Sequence, residues 1–504
     1  MCRAGELRKL PFFLMSSEIS TPDSRPSFYS SFRNWLSLIG LAIMLGSLFS
    51  FLLLFLLDSM GRSSNPYVGV LTYLIAPMFL MGGLGLALLG GFLRHRKFIK
   101  THGSVPLKID LSRRTDRRIM LIFVPSAIFF LLVSAVGVYH SYHYTESVQF
   151  CGQACHEVMQ PEMATHQHSS HARIACSECH IGPGATWYVR SKLSGAYQVY
   201  AVMANKFPRP IPTPVKNLRP AQETCEQCHW PRKFIGNLDR TYDYYQGDET
   251  NTPFSVRLIL KVGGADSSRG LVGGIHWHVN PGRSIDYIAS DESRQTIPWV
   301  RVTDAQGNVT EYRTPKFTNE ASASTIRKMD CMDCHNRPAH KYESPAKAVN
   351  MAMSVGSIDT SLGYVKTNAV YALTQTYATQ EEGVKKIASF LTERYPGKRI
   401  EGTIAAIQGI FTNNFFPEMK ASWKSYPDNI GHKDWPGCFR CHDGNHKTAD
   451  KKLAIKASDC NTCHTIISQG SGAQLDQLTT GGQEFKHPGG EFDSSCIDCH
   501  GGGQ

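Results

Sequence analysis

Residues 176–180 read Cys176-Ser177-Glu178-Cys179-His180: two thiols separated by two residues and followed at once by an imidazole. The same spacing recurs at Cys225/Cys228/His229, Cys331/Cys334/His335, Cys438/Cys441/His442, Cys460/Cys463/His464 and Cys496/Cys499/His500. A seventh copy, Cys151/Cys155/His156, holds one extra residue between its cysteines. With 15 cysteines and 20 histidines in 504 residues, about 0.02 strict matches would arise by chance. The motifs take fourteen cysteines; the other is Cys2, which a start at Met15 would remove.

That spacing is the attachment signature of c-type haem. The two thiols add across the porphyrin vinyl groups, and the neighbouring imidazole reaches the iron. Zinc knuckles use the same residue types but need four ligands per metal, usually from two regularly spaced Cys-x-x-Cys halves. Here the intervals are irregular and every motif brings its own histidine. A disulfide framework gives no reason for the histidines. The residues therefore predict seven covalently bound haem c groups, with His156, His180, His229, His335, His442, His464 and His500 as proximal ligands.

Three apolar runs precede the first motif: Trp35 to Leu57, Tyr67 to Leu93 and Ile119 to Tyr139. Each is long enough to cross ~30 Å of hydrocarbon. None holds a histidine or a charged residue, which argues against a haem or proton path inside the bilayer. The first lacks a small-residue cleavage site and reads as an uncleaved anchor. Gly82, Gly83, Gly85, Gly90 and Gly91 in the second read as close helix packing. Five basic residues precede the first run and nine occupy the 94–118 loop, against Arg62 alone between the first two runs. The positive-inside rule then makes 1–34 and 94–118 cytoplasmic. The expected place is the bacterial inner (cytoplasmic) membrane, with the haem domain in the periplasm. The net charge of +11 invites a nucleic-acid partner, but much of the excess sits in that loop. Seven haems would also add roughly 14 propionate charges, so no nucleic acid is expected.

Beyond the third run about fifty residues fall to each motif, too few for seven separate apolar cores. The expected fold is an α-helical membrane anchor of three transmembrane helices (35–139) followed by a multihaem cytochrome c domain. That domain should be mostly helix and loop wrapped around a haem stack, with a small β section. Residues 140–206 hold two motifs. Residues 207–344 open on a Pro-rich linker, Phe207 to Pro214, and hold the third and fourth. β signals lie at Phe254 to Val262, at Gly274 to Val279, and in a hairpin turning at 304–308. Residues 345–437 read as helical, with Val365, Ala369, Ala372, Leu373 and Tyr377 on one face. Residues 438–504 carry the last three motifs.

The second axial position of each iron is usually filled by His or Met. His171, His276, His278, His340, His432, His446 and His487 are the distal candidates. Read as a strand, His276-Trp277-His278 would point its imidazoles to opposite faces, toward two haems or toward one haem and a bystander. Met159 and Met163 follow His156 closely. A thioether ligand would raise the potential of the first haem, whereas the alternative is packing against the porphyrin. Met159 is the favoured ligand.

The stretch from Cys151 to Pro183, with His156-Glu157-Val158-Met159, Ser170-His171 and the second motif, resembles the opening of the NapC/NirT family of membrane-anchored quinol dehydrogenases. The remainder resembles the family's longer ImcH-type seven-haem cytochromes of metal-reducing bacteria. The segments that carry this are Cys228-His229-Trp230-Pro231, Met332 to Pro338, Phe416-Pro417-Glu418-Met419-Lys420 and Gly437 to Gly444. The resemblance implies menaquinol as substrate, the membrane quinone pool and periplasmic c-type cytochromes as partners, and electron flow in anaerobic respiration or onward to extracellular metal oxides. It also implies a quinol-site lysine at Lys192. Two positions depart from the family. The methionine stands three rather than two residues after the motif histidine. The acid expected after the lysine reads Gln198 or Val199.

Quinol oxidation releases two protons, so the site needs an acceptor. Glu157, Glu162, His166 and His168 are the candidates near the first haem. Lys192 would orient a quinone oxygen or stabilise its developing charge, or else pair with haem propionates. Two other readings stay open: a terminal reductase of a small nitrogen species at an iron with an open position, and a relay subunit of a membrane redox complex.

Overall fold

The computed structural model describes residues 34–59, 72, 75–102, 112, 114–154, 156–182, 184–215, 218–263, 273–280, 282–318, 321–322, 325–456, 460–488 and 490. Cys155, most of the 1–34 segment, much of the 94–118 loop and the seventh motif (Cys496, Cys499, His500) lie outside them. The chain divides into two compact units, 1–145 and 146–504. The sections read from the sequence beyond residue 145 are parts of one unit.

In the first unit, helices α1 (Trp35–Ser59) and α2 (Ala76–His102) contain apolar stretches long enough to cross a membrane, Trp35–Leu56 and Ala76–Lys97. Tyr67 to Leu71 lie outside the described residues, and the described Thr72 and Ile75 are already helical. The third run lies within α3 (Arg114–Thr145), a 32-residue helix that continues through Pro125. Gly83 and Gly90 explain how α1 and α2 approach so closely. A Cβ at Gly83 would stand 2.7 Å from the Gly40 carbonyl oxygen and the Met44 nitrogen, and one at Gly90 would stand 2.5 Å from Ser37 Oγ. Ser37 Oγ donates to the Ala87 carbonyl at 2.9 Å, and Ser47 donates to that of Ala76. Gly82 and Gly85 face open space, so packing between helices accounts for only part of the glycine run. Gly83→Leu is expected to destabilise the helix pair by about 1–3 kcal/mol, because backbone cannot yield as a side chain can. Gly85→Leu is expected to cost little, and denaturant titration of the detergent-solubilised protein compares the two.

The second unit opens with α4 (Val148–Gln153), α5 (His156–Gln167), α6 (Cys176–His180), α7 (Ala185–Met203) and α8 (Ala221–Thr224). Strands β1 (Leu238–Tyr245), β2 (Pro253–Leu260), β3 (Ser284–Ile288), β4 (Trp299–Thr303), β5 (Val309–Arg313) and β6 (Arg327–Lys328) follow. Helices α9 (Cys331–Cys334), α10 (Pro345–Ser354), α11 (Val365–Thr374), α12 (Gln380–Arg394) and α13 (Glu401–Asn414) precede β7 (His464–Gly470). The strands form two antiparallel sheets, β1-β2-β7 and β5-β4-β3-β6. The hairpin expected at 304–308 joins β4 and β5. Strand β7 brings the sixth motif onto β2, pairing His464 with Leu260. Residues 275–279 are a 3₁₀ turn rather than a strand.

The largest apolar core lies in the helical stretch. Val365, Ala369, Ala372 and Leu373 are buried on one face of α11 as their spacing requires, while Tyr377 falls beyond its end and packs edge-on to Phe411. Thr379 caps α12 by accepting from the Glu382 amide, and the Glu382 carboxylate accepts from the Ala378 amide. Val158 of α5 joins this core, and His168 meets Asn413 at the end of α13. The helical stretch thus buttresses the segment that carries the first two motifs.

Candidate haem centres

Four motifs share one local design. The His229, His335 and His442 amides each return to the carbonyl of the first motif cysteine, at 2.8, 2.8 and 3.0 Å. In the second motif the Cys-x-x-Cys-His run is the helical turn α6 itself. A single turn of this kind sets both thiols and the imidazole on the same side of the chain. The fourth motif is reinforced by a capping box, in which Asp330 accepts from the Met332 amide and Asp333 from the Asp330 amide, both at 2.8 Å.

The sixth motif leads directly into a strand. Its 3₁₀ turn covers Cys460–Thr462, as that of the third covers Cys225–Gln227, and half-buried Cys463 follows it as Cys228 does there. The Cys463 carbonyl accepts from the Lys261 amide at 2.8 Å, and the chain runs on into β7 at His464. The bond to Lys261 and the ladder with β2 fix this motif against the sheet.

The test of fit for haem lies in the imidazoles. A metal–imidazole bond of about 2.0 Å, with about 1.2 Å more to the ring centre, puts two imidazoles on opposite faces of one metal roughly 6.4 Å apart. Five motif histidines have a partner at such a separation. The pairs are His180 with His340 (6.3 Å), His229 with His171 (6.0 Å), His335 with His276 (6.3 Å), His442 with His278 (5.9 Å) and His464 with His432 (6.3 Å). In four of the partners Nδ1 lies against a backbone carbonyl: His340 on Glu162 (3.0 Å), His171 on Pro338 (3.1 Å), His276 on Val262 (2.7 Å) and His278 on Ile275 (2.8 Å). Such a bond makes Nδ1 the protonated nitrogen and leaves the Nε2 lone pair for a metal. Burial drives the His340 pKa down to about 4, against the opposing pull of Glu162. A neutral imidazole is the form that ligates. Arg283 stacks on Trp277 at 4.8 Å and holds one buried guanidinium nitrogen without a partner among the described residues, which suits a propionate.

His276 and His278 approach two different motifs, though not as alternate residues of a strand. In a turn with three residues per revolution, residues two apart diverge by about 120°. His446 departs from the expectation of a ligand. It is fully buried, with Nδ1 on Asp443 at 2.8 Å and Nε2 on the Ile297 carbonyl at 2.7 Å, so neither nitrogen is open to a metal. His487 is exposed, near a motif outside the described residues. Met159 is half-buried on α5, three residues after His156. The Met163 sulfur lies against Gly152, inside the expanded motif, which makes it a packing residue.

Successive motifs are neighbours. The Cys151 thiol hydrogen-bonds that of Cys176, which this bond holds down to about 6. Burial pushes Cys225 up to about 11, and Cys331 and Cys179 add to the rise. Burial likewise pushes Cys334 up to about 11; Arg440 opposes the rise and Cys438 adds to it. His432 stacks on Phe439 of the fifth motif at 4.3 Å while facing His464 of the sixth. The fourth and fifth motifs are also bolted together, since Arg440 Nη2 donates to the Asp333 carbonyl at 2.7 Å.

The five quinol-site candidates do not converge. Glu162 is committed to Arg337 (3.3 Å), His340 (3.1 Å) and Tyr342 (3.2 Å). His168 uses one nitrogen on Ala164 and the other on Asn413. His166 is 4% exposed, with Nε2 on the Ile174 carbonyl. Glu157 is exposed in the first turn of α5. Lys192 on α7 instead forms an ion pair with Glu146, which sequence reasoning missed. The available signal was position: Glu146 is the one carboxylate between the third apolar run and Cys151.

The NapC/NirT cytochrome c family N-terminal region matches residues 113–210. The chain is 39% identical over 487 residues to the cytochrome c-type protein ImcH of Geobacter sulfurreducens, covering 93% of this chain and 95% of that one. It is 33% identical over 95 residues to the cytochrome c-type protein NrfH of Wolinella succinogenes, covering 18% of this chain and 53% of that one. No solved structure matches. The chain therefore belongs to the NapC/NirT cytochrome c family, as a membrane multihaem cytochrome of electron transfer akin to ImcH.

Proposed function

We propose that this protein oxidises menaquinol in the bacterial inner membrane and passes the electrons through seven periplasmic haems to soluble c-type cytochromes, in anaerobic respiration or extracellular metal reduction. The observation that carries this is the succession of motifs, each beside the next in chain order from the first to the sixth. Electrons hop between nearby cofactors, so a row of this kind is a wire. The haems supply the one-electron chemistry, and the chain supplies position and potential. In this reading His180/His340, His229/His171, His335/His276, His442/His278 and His464/His432 are the axial pairs of the second to sixth haems. With both axial positions taken, these five irons have no place for nitrite or hydroxylamine, which favours electron transfer over reduction of a small nitrogen species.

The test is anaerobic addition of a menaquinol analogue to the oxidised protein in detergent, followed by haem absorbance. Rapid, inhibitor-sensitive reduction of several haems is expected. Full reduction by dithionite with none by quinol would refute quinol oxidation and leave the relay reading.

A further inference from the structure

We propose that Glu146 is the residue that takes the proton from the quinol, with Lys192 beside it at the same oxygen; this rests on the quinol-oxidising reading above. The Lys192 ammonium meets the Glu146 carboxylate, and the two side chains retain 35% and 13% of their surface exposed. The pair is withdrawn from bulk water yet open on the lysine side. Both charges act on the Cys151 thiol, in opposite directions, which sets them beside the attachment point of the first haem. Their frame is ordered. Ser177 Oγ donates to the Glu146 carbonyl at 3.1 Å, and the Tyr188 ring lies 4.9 Å from the ammonium. Among the other acids and imidazoles considered, Glu162 and His168 are already committed and His166 is closed off from solvent.

Oxidation breaks two O–H bonds of the quinol and releases two electrons, which haem held by the first motif would accept one at a time. As the first electron leaves, Glu146 accepts the proton of the hydroxyl that faces it and becomes a carboxylic acid. Lys192, released from its ion pair, donates a hydrogen bond to that same oxygen as negative charge develops there. Glu146 then gives its proton to solvent and the ion pair re-forms; the other hydroxyl, at the far end of the ring, loses its proton to solvent as the second electron leaves.

The experiment compares Glu146→Gln and Glu146→Asp with the unaltered haem-loaded protein. Glu146→Gln is expected to lower kcat with the menaquinol analogue about 100-fold and to flatten its pH profile, with little change in KM. Haem content and dithionite reduction should stay normal, and Glu146→Asp should recover most of the rate. Without turnover, a fluorescent hydroxyquinoline N-oxide should bind Glu146→Gln about tenfold more weakly, for one lost hydrogen bond to a charged group. An unaltered rate, pH profile and inhibitor affinity in Glu146→Gln would overturn the assignment, as would loss of all three in Glu157→Gln instead. Failure of the unaltered protein to accept electrons from quinol would refute the underlying reading, which is a separate result.

Discussion

Replacing Asp333 by alanine is expected to produce protein that lacks one haem and unfolds about 3–5 kcal/mol more easily. Asp333 lies between the two cysteines of the fourth motif and is 2% exposed. One carboxylate oxygen receives the Tyr287 hydroxyl at 2.6 Å, Arg294 at 3.0 Å and Arg327 at 3.1 Å, and the other caps the Asp330 amide. Alanine removes the acceptor for all four donors, leaving the Arg294 guanidinium uncompensated and Arg327 with Asp330 alone in a half-buried site. The geometry of Cys331 and Cys334 should loosen at the same time, because the capping box that sets their turn is gone. Asp333→Asn keeps the shape but not the charge and is expected to fall between. Intact mass reports the haem count and a denaturant titration reports the stability. A variant with a full haem complement and an unshifted midpoint would show that the carboxylate is not what holds the motif.

The second large effect concerns His276 and His278. Either alanine variant should convert one haem from low to high spin and slow electron delivery to a periplasmic acceptor at least tenfold, because the iron loses a strong ligand and its potential moves away from those of its neighbours. The two variants should differ in which haem changes: the fourth, facing His335, in His276→Ala, and the fifth, facing His442, in His278→Ala. Upstream haems should still accept electrons from quinol in both. Electron paramagnetic resonance counts the high-spin irons, and redox titration shows which potential has moved. Fully low-spin spectra in both variants would remove these histidines from the irons.

The sequence by itself determined what is periodic or local. The cysteine–histidine spacing is a one-turn pattern, so it was legible without a fold, as were the apolar runs of α1 and α2 and the buried face of α11 from Val365 to Leu373. The surplus of histidines announced distal ligands without assigning them. Tertiary structure decided which imidazole meets which motif, because His340 reaches His180 across 160 residues of intervening chain. It also decided that the sixth motif runs into a strand on β2, since its pairing partner lies some two hundred residues earlier in the chain. His278 and His446 look alike in sequence and differ only in whether a carbonyl and a carboxylate occupy both nitrogens. Strand β1, exposed along most of its length, has no alternation for a pattern to detect, and it forms because β2 supplies its hydrogen bonds. The Glu146–Lys192 pair is the same kind of fact. Charges 46 positions apart in the chain leave no periodic trace, and only the packing of the first motif against the second brings them together.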